Sequence, residues 1–153
     1  MDIHAIALNG LKSALGAMRQ DIEAVPDDVW AKNLGGKARS AADIVYEVCL
    51  VNDHFGLTLR GEPLFDWPDG WVVAPEEWRS KADALPLFDA SVAKILATIE
   101  SFPADSMETK VQTEHGETDR FERCRFMTLH AWYHSGQLNY IQTLAGDDAW
   151  HWN

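Results

Sequence analysis

Two histidines one helical turn apart, His130 and His134, are the residues of this sequence best placed to do chemistry. They lie in a segment whose apolar residues recur at the three- and four-residue spacing of one helical face. Because residues four apart share a face, both imidazoles can point at a common position. Burying two imidazoles without partners costs free energy, and a divalent metal ion is a common partner at this spacing. The pair therefore predicts part of a metal site, with histidines that only hydrogen-bond within the core as the alternative.

A third ligand for such a site could come from Glu47 or His54, both on the flank of the apolar face of the predicted second helix. The two are seven residues apart, so their side chains leave nearly the same side of the helix. They are nevertheless two turns, or about 10 Å, from each other along its axis. They cannot both bind one ion, and the spacing alone leaves either of them as the third ligand.

Three further polar residues lie near the histidine face of the last helix and could hydrogen-bond the ligands: Tyr133, Gln137 and Tyr140. Ordinary polar residues at the edge of the core are the alternative interpretation of each. The residue after His130 is alanine, whereas the zinc-protease helix has a glutamate general base there. The sequence also lacks the glycine patterns of phosphate loops, dinucleotide sites and nucleophile elbows, so no catalytic residue is identified.

The composition favours a folded protein that does not bind nucleic acid. The chain has 153 residues, 46% of them apolar and seven of them tryptophan, which is enough for one domain with a substantial core. Its net charge of −11 arises from 24 acidic and 13 basic residues. Because phosphate backbones and anionic membranes are bound by clustered lysine and arginine, we expect neither as a partner.

Neither a signal peptide nor a membrane-spanning segment is recognisable. The two cysteines, Cys49 and Cys124, lie inside helical patterns without a CxxC partner. Buried reduced thiols in a cytoplasmic protein are the expected state of such residues.

Periodicity predicts two helices in the first half of the chain. Residues 2–24 form the first, which Pro26 ends, and Trp30 is expected to anchor the following linker to the core. Ser40 and Asp43 have the spacing of a capping box before an apolar run. The second helix then extends to about residue 59 and ends at Arg60-Gly61.

Two more helices and a hairpin are predicted in the second half. The third helix begins after Pro75 and ends at Pro103, and Pro86 is expected to kink it or divide it in two. Residues 107–121 change period and predict a short hairpin that turns at Gly116. The last helix covers about 120–145. The sequence thus predicts an all-α four-helix bundle with a small β-hairpin before the last helix, as a single domain over residues 1–153.

Two aromatic segments lie outside this pattern. Residues 61–75 contain Phe65, Trp67 and Trp71, which predicts an ordered loop that either covers the end of the bundle or forms a lid facing a substrate. The tail carries Trp150 and Trp152 and is expected to dock on the domain or on a second copy. The second arrangement predicts a homodimer.

Three motifs give the sequence a resemblance to a known family. They are Ser40-x-x-x-Ile44-Val45 at the start of the second helix, Arg60-Gly61-Glu62-Pro63 at its exit, and His130-x-x-x-His134-Ser135-Gly136-Gln137-Leu138 on the last helix. With them the chain resembles the DinB/YfiT-like superfamily of four-helix bundles, over essentially its whole length.

The resemblance implies a divalent metal ion, nickel or zinc above all, held by one histidine of the second helix and two of the last. His130 and His134 match the last two, but the position of the first is occupied by Glu47. A carboxylate is a competent ligand for zinc and also suits nickel, iron or manganese. We therefore expect Glu47, His130 and His134 as ligands. A site shifted toward His54 and a decayed site without metal are the alternatives.

The expected function follows from this ligand set. Three protein ligands leave positions open for water or substrate, as in catalytic rather than structural sites. The resemblance implies a metal-dependent enzyme acting on a small molecule, either as a transferase, for which family members use low-molecular-weight thiols, or as a hydrolase. A non-catalytic metal-binding or stress-response module and a purely structural bundle are the other hypotheses.

Overall fold

The computed structural model describes residues 2–152 as a bundle of four long helices. Their bounds are α1, Ile3–Ala24; α2, Ala41–Arg60; α3, Lys81–Glu100; and α4, Arg120–Leu144. Strands β1, Lys110–Thr113, and β2, Gly116–Asp119, form an antiparallel hairpin before α4. Single turns of 3-10 helix lie at Glu76–Trp78 and Ala104–Ser106. The predicted all-α bundle with a small hairpin is confirmed.

The apolar ridges predicted from the sequence form the core of the bundle. Helix α1 packs most extensively against α4, while α2 packs against both α3 and α4. Each helix contributes fully buried side chains to this core, among them Leu11, Met18, Val48, Phe88 and Met127. Burial of apolar surface at these interfaces stabilises the fold and fixes α2 and α4 side by side.

Local hydrogen bonds fix both ends of α2. The Asp43 backbone N–H donates to Ser40 Oγ at 3.2 Å, and Asp43 Oδ2 accepts from the Ser40 backbone N–H at 3.4 Å, which is the predicted capping box. At the other end Gly61 has a φ of 68°, a left-handed conformation that glycine adopts without a steric cost. These contacts fix the residues at which α2 begins and ends.

The hairpin fixes the start of α4 relative to α2. Val111 pairs with Thr118 and Thr113 with Gly116, so the chain turns at Glu114 and His115, directly before the predicted position Gly116. Asp119 ends β2 and also caps α4, because its Oδ1 accepts from the Glu122 backbone N–H at 2.9 Å. The Arg120 side chain then donates from Nε to the Leu59 carbonyl oxygen at 3.1 Å, which ties the first turn of α4 to the end of α2.

The third helix begins later than predicted, and of the two outcomes predicted at Pro86, a kink or a division, the division is wrong. Pro75 is followed by the 3-10 turn, and α3 begins only at Lys81. Pro86 does not divide the helix, which continues to Glu100. The hydrogen bond that Pro86 cannot donate would reach Ala82, in the first turn of α3. The break in the ladder therefore lies at the helix end, where the backbone can adapt most easily.

The linker and the tail both dock on the bundle. Trp30 is buried, as predicted, and its indole N–H donates to the Trp78 carbonyl oxygen at 2.8 Å. Trp152 packs edge-on against Trp132, with ring centroids 5.2 Å apart. Trp150 is 77% exposed, so it is the part of the tail still free for a second copy, and the homodimer stays a prediction.

None of the helices within residues 2–152 has both the length and the apolar character that crossing a bilayer requires.

A buried carboxylate links α1, α4 and the tail. Asp21 is fully buried, and its side chain accepts hydrogen bonds from Ser135 Oγ and from Trp152 Nε1. Burial raises the pKa of Asp21, and these hydrogen bonds lower it without cancelling the increase. The folded protein therefore holds a proton at Asp21 at pH values where the unfolded chain has lost it.

This raised pKa predicts how Asp21→Asn changes the pH dependence of stability. Stability from a raised carboxyl pKa is complete below the unfolded pKa and is lost as pH rises through the folded pKa. The free energy of unfolding of wild type, minus that of Asp21→Asn, should thus decrease as pH rises above about 4. Urea unfolding of both proteins at several pH values measures this difference. An increase with pH would contradict the assignment.

Candidate metal centre

The structure brings Glu47 of α2 together with His130 and His134 of α4. Their ligand atoms all lie within 4.8 Å of one another. The two Nε2 atoms are 3.0 Å apart, and Glu47 Oε1 lies 3.5 Å from His130 Nε2 and 3.6 Å from His134 Nε2. The three residues come from two helices and converge because α2 and α4 are held at a fixed relative height.

This triangle has the dimensions of a metal-binding face. A point equidistant from three atoms separated by 3.0, 3.5 and 3.6 Å lies about 2.0 Å from each of them. Zinc binds imidazole nitrogen and carboxylate oxygen at about 2.0–2.2 Å. An ion therefore fits close to the plane of the three atoms without movement of the helices. The donor set of two imidazoles and one carboxylate suits zinc, nickel or iron(II).

Gln137 orients His134. The His134 ring nitrogen Nδ1 lies 2.7 Å from Gln137 Oε1, one helical turn further along α4. Because an amide oxygen only accepts, this contact favours the tautomer with the hydrogen on Nδ1, which is the form whose Nε2 can bind a metal ion. The His134 side chain is only 1% exposed, so packing holds the ring in this orientation. Such outer hydrogen bonds are typical of histidine ligands.

Burial and stacking prepare His130 to act as a neutral ligand. Its ring stacks on Phe126 with centroids 6.0 Å apart. Burial lowers the pKa of His130, although its contact with Glu47 raises the pKa in part. The neutral imidazole, which is the form that binds metals, is thus favoured near neutral pH.

Arg39 holds Glu47 in its charged form. The Arg39 guanidinium pairs through Nη1 with Glu47 Oε2, leaving Oε1 directed at the histidines. Burial raises the pKa of Glu47, but contacts with His130 and His134 and the charge of Arg39 outweigh it, so the pKa falls well below its usual range. A second donor of Arg39, Nη2, bonds the Asp43 carbonyl oxygen at 2.9 Å and fixes the guanidinium on α2.

A cavity of about 550 Å³ opens over the three candidate ligands. Trp71 from the aromatic loop forms one wall, where its ring lies 5.3 Å from the Arg39 guanidinium. Gly136 on α4 also lines the cavity, and the space beside its Cα is open. The remaining lining residues come from the start of α2, the segment before it, and α4: Lys37, Ala38, Ile44, Tyr133, Gln137, Tyr140 and Ile141.

The predicted site residues form the triangle, contact one of its corners or line the cavity. Glu47, His130 and His134 form the triangle, and Gln137 bonds one of its corners. Tyr133 and Tyr140 line the cavity with largely exposed rings, and the Tyr133 ring also lies 5.0 Å from that of His134.

His54 is separate from this group. It packs instead against Phe65 and Trp67 of the aromatic loop, with ring centroids 5.1 and 5.7 Å away. Part of that loop is thus a cover over His54, while Trp71 lies beside the cavity.

Lys37 and Arg39 were not predicted as site residues, whereas Trp71 belongs to the aromatic loop that was predicted either to cover the bundle or to face a substrate. Lys37 and Arg39 lie in a segment without a repeating pattern, so periodicity gives no information about the direction of their side chains. Arg39 does carry one signal, since it stands directly before the cap of α2. A cation there is unfavourable next to the positive end of the helix dipole, and a buried carboxylate nearby offsets that cost.

Comparisons with known proteins agree with this architecture. The sequence profile of the DinB superfamily matches residues 10–138. A conserved protein from Enterococcus faecalis has a similar crystal structure, with a TM-score of 0.73, 16% identity and coverage of 96% of this chain and 99% of that one. A DinB-like protein from Bacillus subtilis has a TM-score of 0.67 and 11% identity, over 94% of both chains.

At such identities the two structures show a shared fold alone. No curated protein matches the sequence. The family follows from the profile, which spans most of the chain and includes Glu47, His130 and His134. The chain belongs to the DinB superfamily.

Proposed function

We propose that this protein is a metal-dependent enzyme that acts on a small molecule, with a divalent ion held by Glu47, His130 and His134. The observation that carries the proposal is the position of the triangle at the floor of a 550 Å³ cavity. A bound ion would have three protein ligands and further positions facing that cavity. Open positions toward a shaped space characterise catalytic sites.

The ion would supply Lewis acidity, which polarises a substrate atom or lowers the pKa of a bound water or thiol. The protein side chains perform the other tasks. Gln137 holds the His134 tautomer, Arg39 keeps Glu47 ionised and directs its Oε1, and the aromatic walls exclude water from the bound substrate. Nickel and zinc are the proposed metals, with iron and manganese compatible with the donor set.

The reaction we propose is group transfer that uses a low-molecular-weight thiol, with hydrolysis as the second candidate. The two differ in the nucleophile, which is a thiol in one and water in the other. Among the residues that the structure describes, the lining of the cavity contains neither a serine nor a cysteine. In both candidate reactions we therefore propose that the nucleophile comes from outside the protein and is brought to the ion.

A non-catalytic metal-binding module is the alternative, and the cavity argues against it. A structural site gains nothing from an opening above its ligands, because four protein ligands and a closed shell bind the ion more firmly. The aromatic loop supports the same choice. Trp71 lines the opening and does not fill it.

Metal content tests the ligand assignment. Wild type should hold about one divalent ion per chain after reconstitution with nickel, zinc, manganese or iron, because three preorganised ligands bind such ions tightly. Glu47→Ala should lose the ion because it loses one of these ligands. His54→Ala should keep it because His54 packs in the aromatic loop. Elemental analysis of the three desalted proteins measures the outcome.

Two results would contradict the assignment. One is a wild-type protein that holds none of the four metals after reconstitution. The other is loss of the ion from His54→Ala with retention by Glu47→Ala, which would move the site along α2.

Removal of the ion should also lower the melting temperature. A ligand that binds only the folded state stabilises it by an amount that grows with concentration over Kd. EDTA should therefore reduce the melting temperature of reconstituted wild type and leave that of His130→Ala unchanged. Thermal unfolding followed by circular dichroism makes the comparison. An equal response of both proteins to EDTA would favour histidines that serve the core alone.

Arg39→Gln should weaken metal binding about 10- to 100-fold, as does the loss of other groups that orient a ligand. Without the guanidinium, Glu47 loses both its charge partner and its fixed orientation. Arg79→Gln is the matched control, because Arg79 Nη2 lies 3.5 Å from Asp43 Oδ1 at the same end of α2 but outside the cavity. Competition with a chromogenic chelator measures affinity. Equal metal affinities of Arg39→Gln and Arg79→Gln would contradict the positioning role of Arg39.

A further inference from the structure

We propose that the cavity over the metal centre selects small molecules that combine an anionic group with an apolar body, and that Lys37 binds the anionic group. The inference rests on the proposed function, because it names the class of substrate for the same site. It depends on the charges, the free cation and the aromatic walls of this cavity.

The charge of the cavity is opposite to that of the protein. The chain as a whole has a net charge of −11. Among the residues that line the cavity, however, two carry a positive charge, Lys37 and Arg39, and one carries a negative charge, Glu47. A bound divalent ion would add two more positive charges. In a protein with an acidic overall charge, the cavity is therefore a place where an anion meets an attractive field.

Lys37 is the cation of this cavity for which the described part of the chain supplies no partner. Arg39 is committed, since it pairs with Glu47 and also bonds the Asp43 carbonyl oxygen. Within residues 2–152, by contrast, no carboxylate lies within ion-pair distance of Lys37 and no hydrogen bond involves its ammonium group. Its side chain is exposed at the cavity wall. An incoming anion can thus bind Lys37 without displacing an internal ion pair.

A turn in the backbone before Lys37 fixes where the residue leaves the chain beside the cavity. The Gly35 backbone N–H donates to Asn33 Oδ1 at 2.7 Å. Gly36 then adopts a φ of 55°, in the left-handed region that glycine enters without a steric cost. This turn directs residues 37–39 past the cavity and into the cap of α2.

The walls of the cavity favour an apolar body between the anionic group and the ion. Trp71, Tyr133 and Tyr140 present large rings that are 72%, 63% and 65% exposed, respectively. Exposed rings around one opening bury apolar area when a ligand enters, and this area supplies most of the affinity for a small molecule. The field of Lys37 then selects among apolar ligands by charge.

A matched pair of probes tests the inference. Phenylmethanesulfonate carries the anionic group, and benzyl methyl sulfone is a neutral analogue of similar shape. A sulfonate is a weak ligand for metals, so its binding reports on contact with the Lys37 ammonium group and not on coordination to the metal ion. Wild type should bind the sulfonate about three- to fivefold more tightly, the size expected for an exposed charge pair. Titrations followed by NMR measure both dissociation constants.

Variants of two lysines locate the effect. Lys37→Gln should reduce the preference for the sulfonate, because its direct charge partner is lost while the more distant charges of the cavity remain, and should leave the affinity for the sulfone unchanged. Lys32→Gln, at an exposed lysine paired with Asp28 in the same linker, should keep the preference. Raising the salt concentration should reduce the preference in wild type as charges are screened. Equal binding of the two probes to wild type, or equal loss in both variants, would overturn the inference.

Repeating the titrations with EDTA-treated protein separates this inference from the proposed function. A preference that persists without metal, in a protein that fails to bind any ion, would refute the metal-dependent enzyme and support the anion site. A protein that binds one ion per chain but shows no preference for the sulfonate would refute the anion site and leave the metal-dependent enzyme standing.

Discussion

The ion pair between Arg39 and Glu47 is the interaction on which the site depends. A carboxylate placed between two helices would take up a proton if burial alone acted on it. The guanidinium and the two imidazoles reverse that tendency, so Glu47 stays ionised at the point where α2 faces α4. Arg39 can do this because the capping box fixes it beside the first turn of α2, and because its Nη2 is bonded to the Asp43 carbonyl oxygen. The cap that begins α2 therefore also determines the charge of Glu47, because it positions the arginine that pairs with this carboxylate.

The pair also explains how a glutamate can occupy a position where the resemblance implies a histidine. A neutral imidazole brings no charge to a metal site, whereas a carboxylate brings one negative charge. Glu47 together with Arg39 is neutral as a pair, so the substitution leaves the total charge around the ion close to that of three histidines. What changes is the distribution, because the negative charge lies on the oxygen that faces the histidines and the positive charge lies under Trp71.

The fold could be predicted from the sequence because its determinants are local. Apolar ridges, the capping box, Gly61 and the hairpin turn each act within a few residues, and all of them are found at or next to the positions that the sequence predicts. The site could be predicted only in part. Glu47 and His54 lie on the same flank of one helix, and the choice between them depends on the height of α2 relative to α4. That height is set by contacts between distant residues, such as Arg120 with the Leu59 carbonyl oxygen, which no local pattern contains. Lys37 and Arg39 were not predicted because irregular segments have no period. Of the two outcomes predicted at Pro86, a kink or a division of the helix, the division was wrong because the sequence did not show that α3 starts as late as Lys81.

Gly136 has a consequence for how this cavity could change in evolution. It lies in the middle of α4, where glycine costs about 1 kcal/mol relative to alanine. No atom beyond its own helical turn and its chain neighbours lies within 4 Å of where a Cβ would be, so a side chain would fit. The helix therefore forgoes stability at a position where larger residues are sterically permitted. Any side chain introduced there would occupy space in the wall of the cavity. A substitution at residue 136 would thus make the helix more stable and at the same time reduce the size of the molecule that the cavity can hold.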